Sequence, residues 1–173
     1  MRRGLMLLAV LSLFGVGVAS AAVQQGETEL SATAGWFTEN GAEGFADIDV
    51  LFATAAFGYF LTDNIEVAPA AAVVLLRNDV DLDIYALGGQ AKYHFMPTNQ
   101  LVPYIGGQLF WAHAGDGGST DGILWGPLGG VRFELNATND LYVEGQYHIW
   151  SGDIHDVLDT GFGIFAGIVH RFK

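Results

Sequence analysis

The stretch RFELNATNDLYVEGQYHIW, residues 132–150, decides the fold because its apolar and polar residues alternate with a period of two. One set of alternate positions is apolar: Phe133, Leu135, Leu141, Val143, Gly145, Tyr147 and Ile149. The other set is mostly polar or charged: Arg132, Glu134, Tyr142, Glu144, Gln146 and His148. Because successive side chains of a strand point to opposite faces, the stretch predicts two strands with unlike faces, joined by a short turn at LNATN.

The same alternation continues along the chain. YALGGQAKYHF (85–95) and TGFGIFAGIVHRF (160–172) repeat it, and short turns rich in Thr and Asn are predicted in YFLTDNIEV (59–67) and YHFMPTNQLVPY (93–104). Eight strands are predicted, at about 27–37, 48–61, 64–76, 83–96, 101–112, 122–135, 141–150 and 157–172. Long loops rich in Gly and Asp are predicted at the opposite end, at 38–47, 77–82, 113–121 and 151–156.

The position of the strand charges favours a membrane barrel over a soluble one. If the apolar phase faces outward, seven charged side chains face inward near the short-turn end: Glu29, Glu66, Lys92, Arg132, Glu134, Glu144 and Arg171. A soluble ligand-binding barrel usually has the reverse arrangement, whereas a charge facing the middle of a bilayer costs about 2–4 kcal/mol. We therefore predict an all-β, eight-stranded, antiparallel, up-and-down transmembrane barrel whose lumen holds an ion-pair network. An aromatic girdle is expected near the turns: Tyr59, Phe60, Tyr93, Phe95, Tyr104, Phe133, Tyr142 and Phe172.

Composition limits the alternatives. A chain that is 51% hydrophobic is not disordered, and a chain without Cys has neither disulfides nor thiolate chemistry. A net charge of −12 argues against a nucleic-acid partner. Residues 1–21 carry a basic start, an apolar run and an A-x-A-like site at Ala19–Ala21, which predicts a secretory signal peptide; residues 22–173 would then form the barrel domain.

The motifs YFLTDNIEV, LVPYIGGQL (101–109) and the ending FAGIVHRF (165–172) resemble the small eight-stranded outer-membrane barrels: the opacity proteins and outer-membrane proteins X, A (its barrel part) and W. The resemblance implies a place in the bacterial outer membrane. It also implies that the barrel-assembly machinery reads the last strand, with Phe172 as the terminal aromatic residue and Gly167 upstream. His170 and Lys173 depart from that pattern.

The predicted lumen allows two interpretations. Eight strands leave an interior that side chains just fill. The inward phase away from the turns is small or apolar: Ala70, Ala72, Val74, Ala86, Gly88, Phe110, Leu124, Gly126, Leu128, Gly161, Gly163 and Phe165. A packed core is favoured over a pocket for an apolar ligand. Pro69 and Pro127 fall inside predicted strands, where each removes a ladder donor and makes the local register uncertain.

One weak catalytic candidate involves His148, Asp159 and Ser151. A hairpin centred on 151–156 would make His148 and Asp159 inward-facing cross-strand neighbours, and a carboxylate beside a histidine can orient a general base. Some outer-membrane barrels modify lipid A, but their pattern has Ser two residues after the catalytic His. Trp150 occupies that place here. An ordinary cross-strand pair is favoured, so no enzyme, cofactor or metal is predicted.

The predicted function is structural or adhesive, through acidic loops at the cell surface. These loops carry Glu39, Glu43, Asp47, Asp49, Asp79, Asp81, Asp83, Asp116, Asp121, Asp153, Asp156 and Asp159. Expected partners are outer-membrane lipid, lipopolysaccharide, the assembly machinery and an unidentified surface ligand, with the barrel as a monomer. The alternatives are a narrow route for small apolar solutes and, less favoured, a hydrolase acting on lipid A.

Overall fold

The computed structural model describes residues 23–41, 48–77, 82–115, 119–156 and 158–172. They form eight strands and one short 3-10 helix, Asp153–Asp156. The strands are β1 (Thr28–Gly41), β2 (Ile48–Phe60), β3 (Ile65–Arg77), β4 (Leu82–His94), β5 (Leu101–Gly115), β6 (Ser119–Glu134), β7 (Asn139–Gly152) and β8 (Leu158–Phe172). Each strand pairs antiparallel with its sequence neighbour, and β8 pairs with β1 to close the barrel. The predicted fold class is confirmed, whereas the predicted signal peptide lies outside the described residues.

In two of the three short turns, side-chain oxygens accept backbone hydrogen bonds, whereas in the turn at 95–100 the Asn99 N–H donates to the Met96 carbonyl oxygen at 3.0 Å. Thr62 Oγ1 accepts from the N–H groups of Asn64 and Ile65, at 3.2 and 3.0 Å. Asn136 Oδ1 accepts from the N–H groups of Thr138 and Asn139, both at 3.0 Å. A Thr or Asn side chain that satisfies the backbone locally lets the chain reverse within a few residues. Thr and Asn side chains therefore help the chain to reverse at two of the three turns at this end of the barrel.

The connections at the other end are shorter than predicted. Strands β5 and β6 reach Gly115 and Ser119, so only 116–118 separates them, where the sequence predicted a loop over 113–121. The remaining connections are 42–47, 78–81 and 153–157. They are similar in length to the turns at 61–64, 95–100 and 135–138. The expectation of four long loops is wrong, because polar residues such as His113 and Asp121 continue the strands as a directly paired couple.

The alternation of side chains along each strand separates an apolar outer wall from the lumen over most of the strand length. On β8, Phe162, Ile164 and Ile168 are exposed on the outer wall, and Phe165 and Arg171 are buried in the lumen. The other strands place an apolar belt outward in the same way, including Leu30, Phe57, Leu87, Tyr93, Ile105, Leu109, Trp111, Trp125 and Val143. Such a wall suits a bilayer, and the exposed carboxylates of Asp121 and Asp159 lie near strand ends. No helix of the described residues has the length and apolarity to cross a membrane.

The predicted aromatic girdle is partly wrong. Tyr59, Tyr93, Phe95, Phe133 and Phe172 are exposed on the outer wall. Phe60, Tyr104 and Tyr142 are buried in the lumen instead, because they occupy the inward phase of their strands. These three rings pack against luminal side chains and do not contribute to an interfacial belt.

The half of the lumen away from the turns is a solid apolar core. It combines side chains from β3 and β4, several of them small, with large rings from β2, β5, β7 and β8: Phe52, Ala70, Ala72, Val74, Leu76, Ile84, Ala86, Phe110, Ala112, Leu124, Trp150 and Phe165. Ile154 of the 3-10 helix and Leu158 are buried against it at the connection end. The packed core favoured from the sequence is present among the described residues.

Gly35 provides the space that the Phe165 ring occupies. A Cβ on Gly35 would overlap this ring, which also packs on Phe52 at a centroid distance of 5.4 Å. Phe165 is therefore held between a glycine and a second aromatic ring. A side chain at position 35 would have to displace it.

We predict that Gly35→Val lowers the free energy of unfolding by about 1–3 kcal/mol through overpacking. Adding Phe165→Leu should restore part of the loss, because it removes the displaced ring. Gly107→Val is the matched control, since a Cβ there meets only Gly126 O, at 3.7 Å. Urea titration in lipid vesicles measures all three, and equal losses for the two glycine variants would contradict the packing argument.

Candidate functional site

Arg132 is the centre of the charged half of the lumen. Its Nε donates to Asp140 Oδ2 at 2.5 Å, and its Nη2 donates to Glu29 Oε2 at 2.7 Å. Arg171 Nη2 donates to the other oxygen of Asp140 at 3.0 Å, and lies 3.5 Å from Glu134 Oε1. All except the partly exposed Glu134 are buried. The network joins β1, β6, β7 and β8, which include the two strands that close the barrel.

A second group of pairs lies beside it. His94 Nε2 is 2.8 Å from Glu66 Oε2, and Lys92 Nζ is 3.9 Å from Glu144 Oε2. The Lys92 ammonium also lies over the rings of Tyr104 and Tyr142, at 5.5 and 5.7 Å from their centroids. A confined charge that has a carboxylate and two aromatic faces around it has replaced much of its lost hydration.

The structure places the seven predicted luminal residues on one side of the wall. Glu29, Glu66, Lys92, Arg132, Glu144 and Arg171 are buried in the lumen, and Glu134 lies at its edge. Sequence reasoning missed Asp140, which bridges both arginines, because the predicted strand started at 141. Its parity with Tyr142 and Glu144 would have placed it inward.

A polar ladder on β7 leads from the charged half into the apolar half. Gln146 Nε2 donates to Glu144 Oε1 at 2.6 Å, and Gln146 Oε1 lies 3.0 Å from His148 Nε2. Gln108 Nε2 donates to the same Gln146 oxygen at 3.3 Å. The ring of His148 packs against Phe52, at a centroid distance of 5.2 Å. The lumen thus changes from charges through amides to a buried imidazole and then to hydrocarbon.

The structure does not bring His148, Asp159 and Ser151 together as a catalytic group. His148 is fully buried and pairs with Gly161, not with Asp159. The side chain of Asp159 is half exposed, with its Oδ1 at 3.6 Å from His155 Nδ1. Ser151 Oγ donates to the carbonyl oxygen of Ile123 at 3.3 Å. The predicted pairing was wrong because the 3-10 helix shifts the hairpin register by two residues, and β8 leaves strict alternation near Thr160.

The two predicted assembly residues have packing roles in the structure. A Cβ on Gly167 would overlap the Tyr142 ring, so the glycine makes room for that ring. Tyr142 in turn hydrogen-bonds Thr33 on β1. Phe172 is exposed on the outer wall next to Phe57, with ring centroids 6.4 Å apart. Recognition of these residues by the assembly machinery stays a prediction.

Free space in the charged half is small. A cavity of about 10 Å³ is lined by Glu29, Glu66, Lys92, His94, Tyr104, Arg132, Tyr142 and Val169. A second cavity of about 10 Å³ lies next to Val23 and Arg171. Each has about the volume that one water molecule needs. Within the described ranges, no group of three or more His, Cys, Asp or Glu side chains is arranged to hold a metal ion.

We predict that Arg132→Met destabilises the barrel by about 3–5 kcal/mol, because it leaves the buried Glu29 without its ion-pair partner and Asp140 with only Arg171. Adding Glu29→Gln should recover part of that loss. Asp159→Asn removes an exposed pair and should change stability by no more than about 1 kcal/mol. Urea unfolding in vesicles, followed by tryptophan fluorescence, provides the comparison; similar losses for Arg132→Met and Asp159→Asn would contradict it.

Comparison with known proteins agrees with the architecture. No protein-family model matches this chain, and no curated protein sequence matches it. Neisserial surface protein A has a similar solved structure, with a TM-score of 0.66 and 20% identity over 84% of this chain and 97% of the other. The N-terminal β-barrel domain of Pseudomonas aeruginosa OprF gives a TM-score of 0.56 and 18% identity, covering 86% of this chain and 98% of that domain. The chain therefore has the fold of the small eight-stranded outer-membrane β-barrels.

Proposed function

We propose that this protein is a non-conducting structural barrel of the bacterial outer membrane, and that its acidic connection end makes contacts at the cell surface. The observation that carries the proposal is the filled lumen. Ion pairs occupy the half near the short turns, and a continuous apolar core occupies the other half. A barrel filled in this way serves as an anchor and a scaffold.

The side chains that occupy the lumen argue against the alternative function, a narrow route for small apolar solutes. A solute would first have to break the contacts of Arg132 with Glu29 and Asp140. It would then have to displace Phe52 and Trp150, which are almost completely buried. Breaking buried ion pairs and reopening a packed core each cost several kcal/mol. This combined barrier favours a closed barrel over a narrow route for apolar solutes.

The connection end offers a compact acidic surface. The 3-10 helix inserts Ile154 into the mouth of the barrel and leaves Asp153 and Asp156 exposed, with Asp159 on the adjoining strand. Carboxylates fixed on a rigid wall create a negative field that attracts cationic groups. The surface contact that we propose therefore uses a short helix and strand ends in place of long loops.

We predict no single-channel conductance and no liposome swelling for the reconstituted protein. A sixteen-stranded porin in the same membranes is the positive control, because barrels of that size enclose an aqueous channel. Reproducible conductance steps that depend on protein concentration would contradict the closed lumen.

We predict that the triple variant Asp153→Asn, Asp156→Asn, Asp159→Asn weakens binding of proteoliposomes to a polylysine surface, with the greatest loss at low salt. Asp63→Asn, at the opposite end, is the matched control for one acidic residue, and its effect should be small. Surface plasmon resonance with oriented barrels measures both. Unchanged binding by the triple variant would contradict a contact through this end.

A further inference from the structure

The segment before β1, residues 23–27, crosses the mouth of the lumen at the end where the short turns lie. The Val23 N–H donates to the carbonyl oxygen of Pro97 at 3.2 Å, in the turn between β4 and β5. Because the eight strands follow one another around the circle, that turn lies on the side opposite β1. We propose that residues 23–27 form a strap that closes this mouth against solvent and can open without unfolding the barrel.

The strap leaves the direction of β1 at Gly26. This glycine has a φ of +87°, in the left-handed region that residues with a side chain rarely adopt. A Cβ on Gly26 would meet nothing within 4 Å, so the glycine is required by the backbone conformation and not by lack of space. The Glu27 N–H donates to the carbonyl oxygen of Gln24 at 3.1 Å and completes a tight turn. This turn directs Val23 over the mouth.

A small number of hydrogen bonds holds the strap to the end of β2. The Gly26 N–H donates to the carbonyl oxygen of Phe60 at 2.9 Å, and the Phe60 N–H donates to that of Glu27 at 3.1 Å. The Gln25 N–H donates to Asp63 Oδ1 at 2.8 Å, in an exposed position. Segments with few buried contacts open locally at a much lower free energy than the whole fold. The strap therefore has the contacts of a closure that can be released by itself.

The side chain of Val23 provides the seal. It is only 3% exposed, although chain segments that flank a domain are usually poorly ordered unless they are tied down. It lines the cavity of about 10 Å³ that Arg132, Glu134, Asp140 and Arg171 also line. Val23 is therefore the apolar side chain that covers the arginine network from the turn end.

The network needs such a cover because it lies close to the surface. Glu134, which is 3.5 Å from Arg171, has a side chain that is 12% exposed, whereas Arg132 and Asp140 are almost completely buried. The attraction between two charges falls steeply as water enters the space around them. An open mouth would admit water to these pairs, so the strap maintains the dry surroundings in which they were formed.

The opposite mouth is closed by a different kind of segment. Ile154, which is 1% exposed, lies in the 3-10 helix between β7 and β8, so the wall holds this segment covalently on both sides. Within the described residues, the strap is continuous with β1 alone. The strap is therefore the closure that opens more readily of the two.

Reaction of introduced cysteines with a quaternary-ammonium methanethiosulfonate tests the proposal, because the natural chain has no cysteine. The folded protein is studied in detergent micelles, where this reagent reaches both mouths but does not enter the apolar interior. Val102→Cys is the reporter beneath the strap, since Val102 lines the same cavity as Val23. Ala114→Cys is the reporter at the other end, since Ala114 belongs to the same apolar core as Ile154.

The double variant Val23→Gly, Gly26→Val should open the strap, because it removes the seal and strains the left-handed turn. Labelling at the position 102 reporter should rise by about tenfold or more, and labelling at the position 114 reporter should stay within about twofold. Ile154→Ala is the matched control at the opposite mouth and should give the reverse pattern. Val23→Ile, which keeps a branched aliphatic side chain, should label as slowly as the wild type.

Heat-modifiable migration on gels verifies that each variant is folded, and Gly26→Val alone is the milder second variant, with an intermediate rate expected. An unchanged rate at position 102 in the double variant would overturn the assignment of the strap as a seal. Equal acceleration at positions 102 and 114 would show a general loosening of the barrel, and it would overturn the proposal that the strap opens by itself.

Discussion

The structure depends on the constraint that hydrocarbon offers no hydrogen-bond partner to a peptide group. An open sheet edge would leave a row of such groups unpaired, so the chain must close on itself. The pairing of β1 with β8, from Thr28–Phe172 onward, meets this requirement. Closure then divides each strand between a wall that contacts lipid and an interior from which lipid is excluded. The alternation of apolar and polar residues in the sequence reflects that division.

The interior is filled in a graded way, and this gradient supports the non-conducting lumen that we propose. Near the turns, Arg132 and Arg171 tie Glu29, Asp140 and Glu134 together across the strands that complete the circle. Buried ion pairs contribute little net stability compared with a hydrophobic filling, but breaking one is costly. The network therefore disfavours any strand pairing that would separate these ion pairs. Further along, Gln146 and His148 bridge the charges to an apolar core, and the lumen has the packing of a protein interior.

The glycines and prolines of the barrel wall also shape the structure. Gly88, Gly106 and Gly126 bring neighbouring backbones close together, and Pro69 and Pro127 interrupt the flanking ladders. These residues weaken a strand in the usual sense, yet they occur together on adjoining strands. Their clustering gives one sector of the wall an unusual backbone, although small residues such as Ala34, Ala53 and Ala166 also face outward on β1, β2 and β8. This sector of β3–β6 and the end with the 3-10 helix are therefore the parts in which this barrel can differ in role from others of its size.

Much of this could be predicted from the sequence because the signal is local. Period two identifies the strands, and Thr62 and Asn136 mark the turns with their own hydrogen bonds. Apart from the inward rings of Phe60, Tyr104 and Tyr142, the failures occurred where a strand end mattered. Ending β5 early turned the His113–Asp121 pair into loop residues, and starting β7 late lost Asp140. The pairing of His148 depended on a 3-10 helix, and no alternation pattern reveals such a helix.

The outward and inward division can be measured residue by residue, because the natural chain has no cysteine and each introduced one is unique. Single spin labels at positions 142–147 of β7, in lipid vesicles, report collisions with oxygen, which concentrates in hydrocarbon. High accessibility at Val143, Gly145 and Tyr147, with low accessibility at Tyr142, Glu144 and Gln146, is the predicted result. A uniform profile, or one with the opposite phase, would contradict a barrel whose charges are enclosed and whose apolar wall meets the membrane.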